Sequence, residues 1–167
     1  MSHGVNWVLE LLGRAESLDE VELALRSSAR AAVDADGATV VRREGGRCYY
    51  SQEDAMSPLW QGQRFPLTEC ISGWAMLHRQ IVTIPDIRVD ARIPQEAYRP
   101  TFVRSLVMVP IRTTTSAVGA IGAYWADEHV ATGAELSALR LLAEAAAQAL
   151  SRIRSIPSSE SGELVAA

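Results

Sequence analysis

The residues with the most chemistry to offer lie between Cys70 and Ile111, in CISGWAMLHRQIVTIPDIRVDARIPQEAYRPTFVRSLVMVPI. Cys70 stands two residues ahead of Ser72-Gly73, a small-residue pair that opens a short helix. A helix N-terminus favours anions and lowers a thiol pKa, which makes Cys70 a candidate thiolate and redox sensor. A free cysteine is more often a small buried hydrophobe. The thiolate reading predicts faster alkylation of Cys70 than of Cys48. Trp74 on the short helix, Tyr98 and Phe102 on the connector, and Tyr124 on the last strand are candidate pocket walls, with Asp86, Asp90 and Arg104 as polar contacts. Each of them taken singly reads more readily as packing than as recognition.

Other chemistries are poorly served. Cys48 and Cys70 form no metal-ligand spacing and no disulfide framework. His78 and His129 are isolated, although one neutral imidazole suffices for an axial haem ligand. The chain has 16 basic residues, all arginine, against 20 acidic ones, and its net charge of −4 argues against a general nucleic-acid binder. The charge is uneven: from Arg79 to Arg112 there are six arginines, Arg79, Arg88, Arg92, Arg99, Arg104 and Arg112, against Asp86, Asp90 and Glu96. Such a surface suits a carboxylate or phosphate ligand, and an ordinary solvated face has the same composition. No apolar run approaches the ~20 residues that span a membrane, and no signal-peptide pattern opens the chain. The expectation is a cytoplasmic protein with reduced thiols.

These residues need a scaffold, and the flanks supply it. Val5, Val8, Leu9 and Leu12 make a helical stripe. Ser17-Leu18-Asp19-Glu20 matches a capping box for a helix that places Leu18, Val21, Leu25, Ser28 and Ala32 on one face. Residues 38–43 read as a strand, Glu44-Gly45-Gly46-Arg47 as a hairpin turn, and Cys48-Tyr49-Tyr50 as the start of the return strand. Residues 53–63 have no strong period, and Trp60 among them reads as a core cover or a pocket lid. Arg64 to Leu67 is a short edge strand. Residues 117–126 form a strand whose Gly119, Ala120, Gly122 and Ala123 imply close approach by a helix or a ligand. A second capping box, Thr132 to Glu135, starts a long helix with apolar residues at 136, 139, 143, 146, 150 and 153. From Ser155 the composition is that of a disordered tail.

This order gives an α+β fold with an antiparallel sheet and helices segregated to one face. ISGWAMLHRQIVTIPDI, AYRPTFVRSLVMVPI and GAIGAYW together resemble the GAF family, in particular the GAF modules of bacterial two-component sensors that precede histidine kinases. The resemblance runs from Leu18 to Ile153. It implies a PAS/GAF-type fold with the terminal helices on one face of the sheet and a ligand pocket on the other. It also implies a sensory role: an unknown small molecule biases the terminal helices, which form a homodimer and pass the change to a histidine kinase or other output domain. The corresponding plan is an N-terminal helix at 1–17, a GAF domain at 18–154 and a tail at 155–167.

The resemblance also narrows the chemistry. GAF-type free methionine-R-sulfoxide reductases carry a cysteine in a GxCG-type turn and further thiols on the connector. Here the turn reads Ile71-Ser72-Gly73-Trp74, and residues 86–101 contain no cysteine. Bilin-binding members carry a cysteine beside a histidine on the connector, and Ile93 to Tyr98 has neither, which leaves only Cys70 for an attachment. The NK…F…DE signature of the cyclic-nucleotide class is also missing, since Asp127-Glu128 comes too early and no Asn-Lys precedes it. No kinase catalytic motif is present. The expectation is a non-enzymatic module with no evident cofactor, neither haem nor bilin. Its rivals are a ligand-free dimerisation module, a thiol sensor acting through Cys70, and a reductase-like enzyme. Trp74 and Tyr98 rings packed into the central cavity favour the dimerisation module; a roomy polar cavity favours the sensor.

Overall fold

The computed structural model describes residues 2–155, with side chains from 5 to 154. The expected disordered tail therefore lies outside the described residues, apart from its first position. A six-stranded antiparallel sheet forms the centre, in the order β3-β2-β1-β6-β5-β4. Its strands are β1 (Gly37–Glu44), β2 (Arg47–Ala55), β3 (Arg64–Pro66), β4 (Val82–Ile84), β5 (Ser105–Arg112) and β6 (Ala117–Trp125).

One face is covered by α1 (Ser2–Arg14), α2 (Leu18–Arg26), α3 (Ala29–Ala32) and α6 (Gly133–Ser155). The α1 stripe buries Val8 and Leu12 in one core with Leu139, Leu142 and Ala146 of α6, to which the sheet contributes Val107, Val109, Ile121 and Ala123. The other face carries α4 (Ile71–His78), α5 (Gln95–Tyr98) and short 3-10 turns at Leu67–Glu69 and Ile87–Val89. Its core is separate, built from Val41, Cys48, Tyr50, Trp60, Ile71, Met76, Leu106, Met108 and Tyr124, among others. The sheet thus divides a helix layer from a connector layer.

Several local expectations change. Ser17 Oγ accepts from the Glu20 N–H at 3.2 Å, but the Glu20 carboxylate returns to the N–H of Glu16, at 2.9 Å, and not to that of Ser17. The second box is reciprocal: Thr132 Oγ1 accepts from Glu135 N–H at 3.1 Å, and Glu135 Oε1 from Thr132 N–H at 2.9 Å. The single helix expected from Leu18 to Ala32 breaks into α2 and α3. At the break the Ser27 and Ser28 hydroxyls both donate to the Ala24 carbonyl, at 2.7 and 3.0 Å. Side-chain bonding of this kind competes with the helical ladder.

The return strand expected to start at Cys48-Tyr49-Tyr50 runs on to Ala55, into the segment expected to lack a strong period, and it does so through a β-bulge. Val40 pairs with Gln52 and Val41 with Tyr50, which leaves Ser51 as the extra residue. The bulge reverses which side chains face which layer. Before it, Cys48 and Tyr50 enter the connector-side core. After it, Glu53 reaches the loop on that side, while Asp54 turns to the helix layer and pairs with Arg30 at 3.1 Å.

Candidate functional site

The short helix α4 positions most of the chemistry. Cys70 is its N-cap, one position nearer the helix than the Ser72-Gly73 start implied, with extended backbone. Its carbonyl accepts from Trp74 N–H at 3.0 Å. Gly73 is required here, because a Cβ would collide with the backbone carbonyl of Leu67 in the preceding 3-10 turn. This contact seats the helix end directly over β2.

The seating brings two cysteines together. Cys70 Sγ lies 3.1 Å from Cys48 Sγ, 3.4 Å from Ser72 Oγ and 3.5 Å from the Pro66 carbonyl oxygen. Ser72 Oγ is in turn 3.0 Å from Tyr50 Oη. Both cysteines are free thiols and buried. Their environments differ. The contact with Cys48, followed by the Ser72 hydroxyl and the Gly73 N–H, lowers the Cys70 pKa to about 7, against opposing burial and the nearby Glu69 carboxylate. Cys48, wholly inside the core, is pushed upward by the same contact and by burial. Cys70 is therefore the more acidic thiol of the pair. The spacing of the cysteines in the chain gave no sign of this contact.

Cys70 also borders an open cleft of about 550 Å³, whose other walls include Trp74, Leu77, His78, Arg92 and Ile93. Trp74 stacks on His78 with ring centres 3.9 Å apart, and the Arg92 guanidinium lies 4.7 Å from the Trp74 ring centre. Trp74 accordingly belongs to this outer cleft and not to the interior.

The interior beneath the connector is filled by rings. Trp60 centres lie 4.7 Å from Tyr98, 5.5 Å from Tyr124 and 5.6 Å from Tyr50. Trp60 Nε1 donates to the Ala97 carbonyl at 3.0 Å, and Tyr124 Oη meets Thr39 Oγ1 at 2.9 Å. Burial raises the pKa of Tyr50, Tyr98 and Tyr124, so these phenols stay protonated. Glu53 fixes the Trp60 loop by accepting from the N–H groups of Leu59, Trp60 and Gln61 at 2.9, 3.0 and 3.0 Å. Among the described residues no buried side-chain nitrogen or oxygen lacks a hydrogen-bond partner.

The small residues of β6 serve this packing. At Gly122 a Cβ would meet the Tyr124 hydroxyl and Thr39 Oγ1, and at Gly119 the Val41 carbonyl. The close approach is made by the sheet's own groups. Phe102 is half-buried at the rim, where its ring tip would stand 2.8 Å from a Cβ on Gly37.

The polar candidates already have partners. Asp86 binds Arg88 and Arg104, each at 3.1 Å, and Arg104 continues to Glu128 at 3.1 Å. Asp90 pairs with Arg92 at 2.8 Å. The Arg88 side chain and N–H, followed by Arg104, hold the Asp86 carboxyl well below the usual range. Three of the six arginines, Arg88, Arg92 and Arg104, are thus engaged with carboxylates. The structure brings Cys70 and Trp74 to one cleft, Tyr98 and Tyr124 to the ring core, and Asp86 and Arg104 to an ion-pair cluster, with Asp90 in a separate pair. Cys48, Tyr50, Glu53 and Ser72 were not among the sequence's pocket candidates, and Trp60, expected as a core cover or a pocket lid, is part of the buried ring core. The bulge and the α4 seat that place them leave no local sequence signature.

Neither isolated histidine is an unengaged imidazole. His78 Nδ1 is 2.9 Å from the Trp74 carbonyl oxygen, and His129 Nε2 is 2.8 Å from Glu135 Oε1. Among the described residues no group of three or more His, Cys, Asp or Glu side chains converges as a metal site.

The model of the GAF domain family matches residues 15–151, most of the chain. The chain belongs to the GAF domain family. Solved structures agree on the GAF fold. The GAF domain of an Acinetobacter phosphoenolpyruvate-protein phosphotransferase is similar with TM-score 0.77 and 13% identity, covering 92% of this chain and 94% of that one. The free methionine-R-sulfoxide reductase of Neisseria meningitidis, in complex with its substrate, gives 0.76 and 12% over 90% and 87%. Residues 122 to 287 of a methyl-accepting chemotaxis protein give 0.75 and 16% over 92% and 99%. A search of curated proteins returned no match. No helix among the described residues of this GAF domain is long and apolar enough to cross a membrane.

Proposed function

We propose that this GAF domain is a sensory module of bacterial signal transduction that reads its input at the α4 cleft and gives its output through the terminal helices. The observation that carries this is the division of the molecule by its sheet. The cleft and thiols lie on one side, and α1, α2 and α6 lie on the other. The similar structures from a chemotaxis protein and a phosphotransferase are consistent with a regulatory role. The cleft is walled by the stacked Trp74 and His78 rings, the Asp90-paired Arg92 guanidinium and the Cys70 thiol. A ligand acts by binding more tightly to one arrangement of the helix layer than to another.

The output reading rests on apolar surface. Trp7 and Leu11 on α1 and Leu141 on α6 remain 46%, 39% and 48% exposed. A second copy of the chain covers them in a homodimer, and a histidine kinase or comparable output domain receives the change in the cytoplasm. Titration calorimetry of the protein with a metabolite panel, repeated on Trp74→Ala, tests the input. Binding that weakens in the variant supports the cleft, whereas binding unaffected by the variant removes it.

A ligand-free dimerisation module is the second reading, favoured by the rings of Tyr50, Trp60, Tyr98 and Tyr124 that fill the interior. Dimers in native mass spectrometry, with no bound molecule and no panel binding, would favour it. Catalysis by sulfoxide reduction has less support, since the turn carries Ser72 and the connector has no thiol.

A further inference from the structure

We propose that Cys48 and Cys70 form a hydroperoxide-responsive dithiol, whose oxidation to a disulfide locks α4 onto β2. The inference rests on reading the α4 cleft as the input face, and it names a chemical class of input.

Three observations carry it together. The sulfurs are 3.1 Å apart, so an S–S bond of ~2.05 Å needs an approach of only about 1 Å. Both thiols are held by fixed elements: Cys48 pairs in register with Arg43 of β1 and Phe65 of β3, and Cys70 caps α4. Access is one-sided, because Cys70 lines the cleft while Cys48 lies behind it, fully buried. That asymmetry assigns the roles, with Cys70 meeting the oxidant and Cys48 resolving. The lowered pKa of Cys70 agrees with this order.

The chemistry balances. The Cys70 thiolate attacks the terminal oxygen of a hydroperoxide, the O–O bond breaks, and the leaving alkoxide takes a proton to become an alcohol, or water from hydrogen peroxide. Cys70 is now a sulfenic acid. The Cys48 sulfur attacks the Cys70 sulfur, the S–O bond breaks, and hydroxide leaves with the Cys48 proton as water. Two thiols have lost two electrons and the peroxide has gained them. A dithiol reductant reverses the step by thiol–disulfide exchange.

The test uses the full chain, reduced and then treated with equimolar hydrogen peroxide or cumene hydroperoxide. The wild type should lose two hydrogens in intact mass and yield a digest peptide joining Cys48 to Cys70. Cys48→Ser should stop at a Cys70 sulfenic acid that dimedone traps, and Cys70→Ser should leave Cys48 unmodified. A wild type that gains oxygen without the cross-link, keeps both thiols free, or links two chains overturns the proposal. The wild-type digest decides the matter even if a variant fails to fold. Panel binding that persists while no cross-link forms removes the disulfide and spares the input-face reading. A cross-link with no panel binding does the reverse.

Discussion

Glu22 of α2 and Arg42 of β1 form a two-pronged ion pair across the helix–sheet interface, with Arg42 Nε to Glu22 Oε2 at 2.9 Å and Nη2 to Oε1 at 2.8 Å. The Glu22 side chain is only 4% exposed and the Arg42 side chain 27%. Arg42 pairs in register with Tyr49, the neighbour of Cys48, so the clamp joins the helix layer to the strand beside the one that carries Cys48. Removing one partner strands a buried charge, and the partial exposure of Arg42 softens that loss. Arg42→Ala should destabilise the domain by about 2–3 kcal/mol in urea unfolding, more than Glu22→Met combined with Arg42→Met. A change below about 0.5 kcal/mol would show that the clamp is a surface pair in practice.

The thiols should separate by pH. Cys70, lowered to about 7, gains thiolate reactivity about two pH units below an ordinary thiol of 9.0, whereas Cys48 is raised. Iodoacetamide labelling followed by peptide mapping should give Cys70 a midpoint near pH 7. At that pH its rate should exceed that of Cys48 by on the order of ten-fold. Equal, slow labelling of both cysteines would contradict the assignment of roles.

Glu53 holds the Trp60 loop by three backbone N–H bonds. Glu53→Ala leaves those donors without their acceptor and should cost about 2–3 kcal/mol. Because Trp60 is 5% exposed, its release should red-shift the tryptophan emission. An unchanged spectrum with unchanged stability would mean that the ring cluster holds the loop unaided.

Acid should loosen the connector. The Asp86 carboxyl is held below its ordinary value of 3.8 by Arg88 and Arg104, so the folded state favours its ionised form. The stabilisation is complete above the ordinary carboxylate range and is lost as the pH falls through it toward the lowered folded value. The wild type should therefore lose more stability than Asp86→Asn between pH 6 and pH 3, measured by urea unfolding. Parallel losses would place the acid sensitivity elsewhere.

Periodicity made much of the scaffold legible. The stripe at Val5, Val8 and Leu12 is buried as its spacing requires, and Thr132 and Glu135 cap α6 with both reciprocal bonds. These features depend on residues three or four apart, where local geometry alone sets the contact. Ser27 and Ser28 were harder to read, because their hydroxyls either continue a helix or turn back on its carbonyls.

What the sequence determined by itself was the α+β order of elements, the buried stripes, and the absence of connector cysteines that sets this chain apart from the GAF reductase pattern. Tertiary structure decided which distant groups meet. Cys48 and Cys70 touch because β2 passes beneath the α4 N-cap, and the Ser51 bulge turns Glu53 rather than Asp54 toward the Trp60 loop. Such contacts depend on strand register and on backbone approaches such as Gly73 to Leu67. A one-residue shift in a strand sends every later side chain to the opposite face, so no local pattern encodes them.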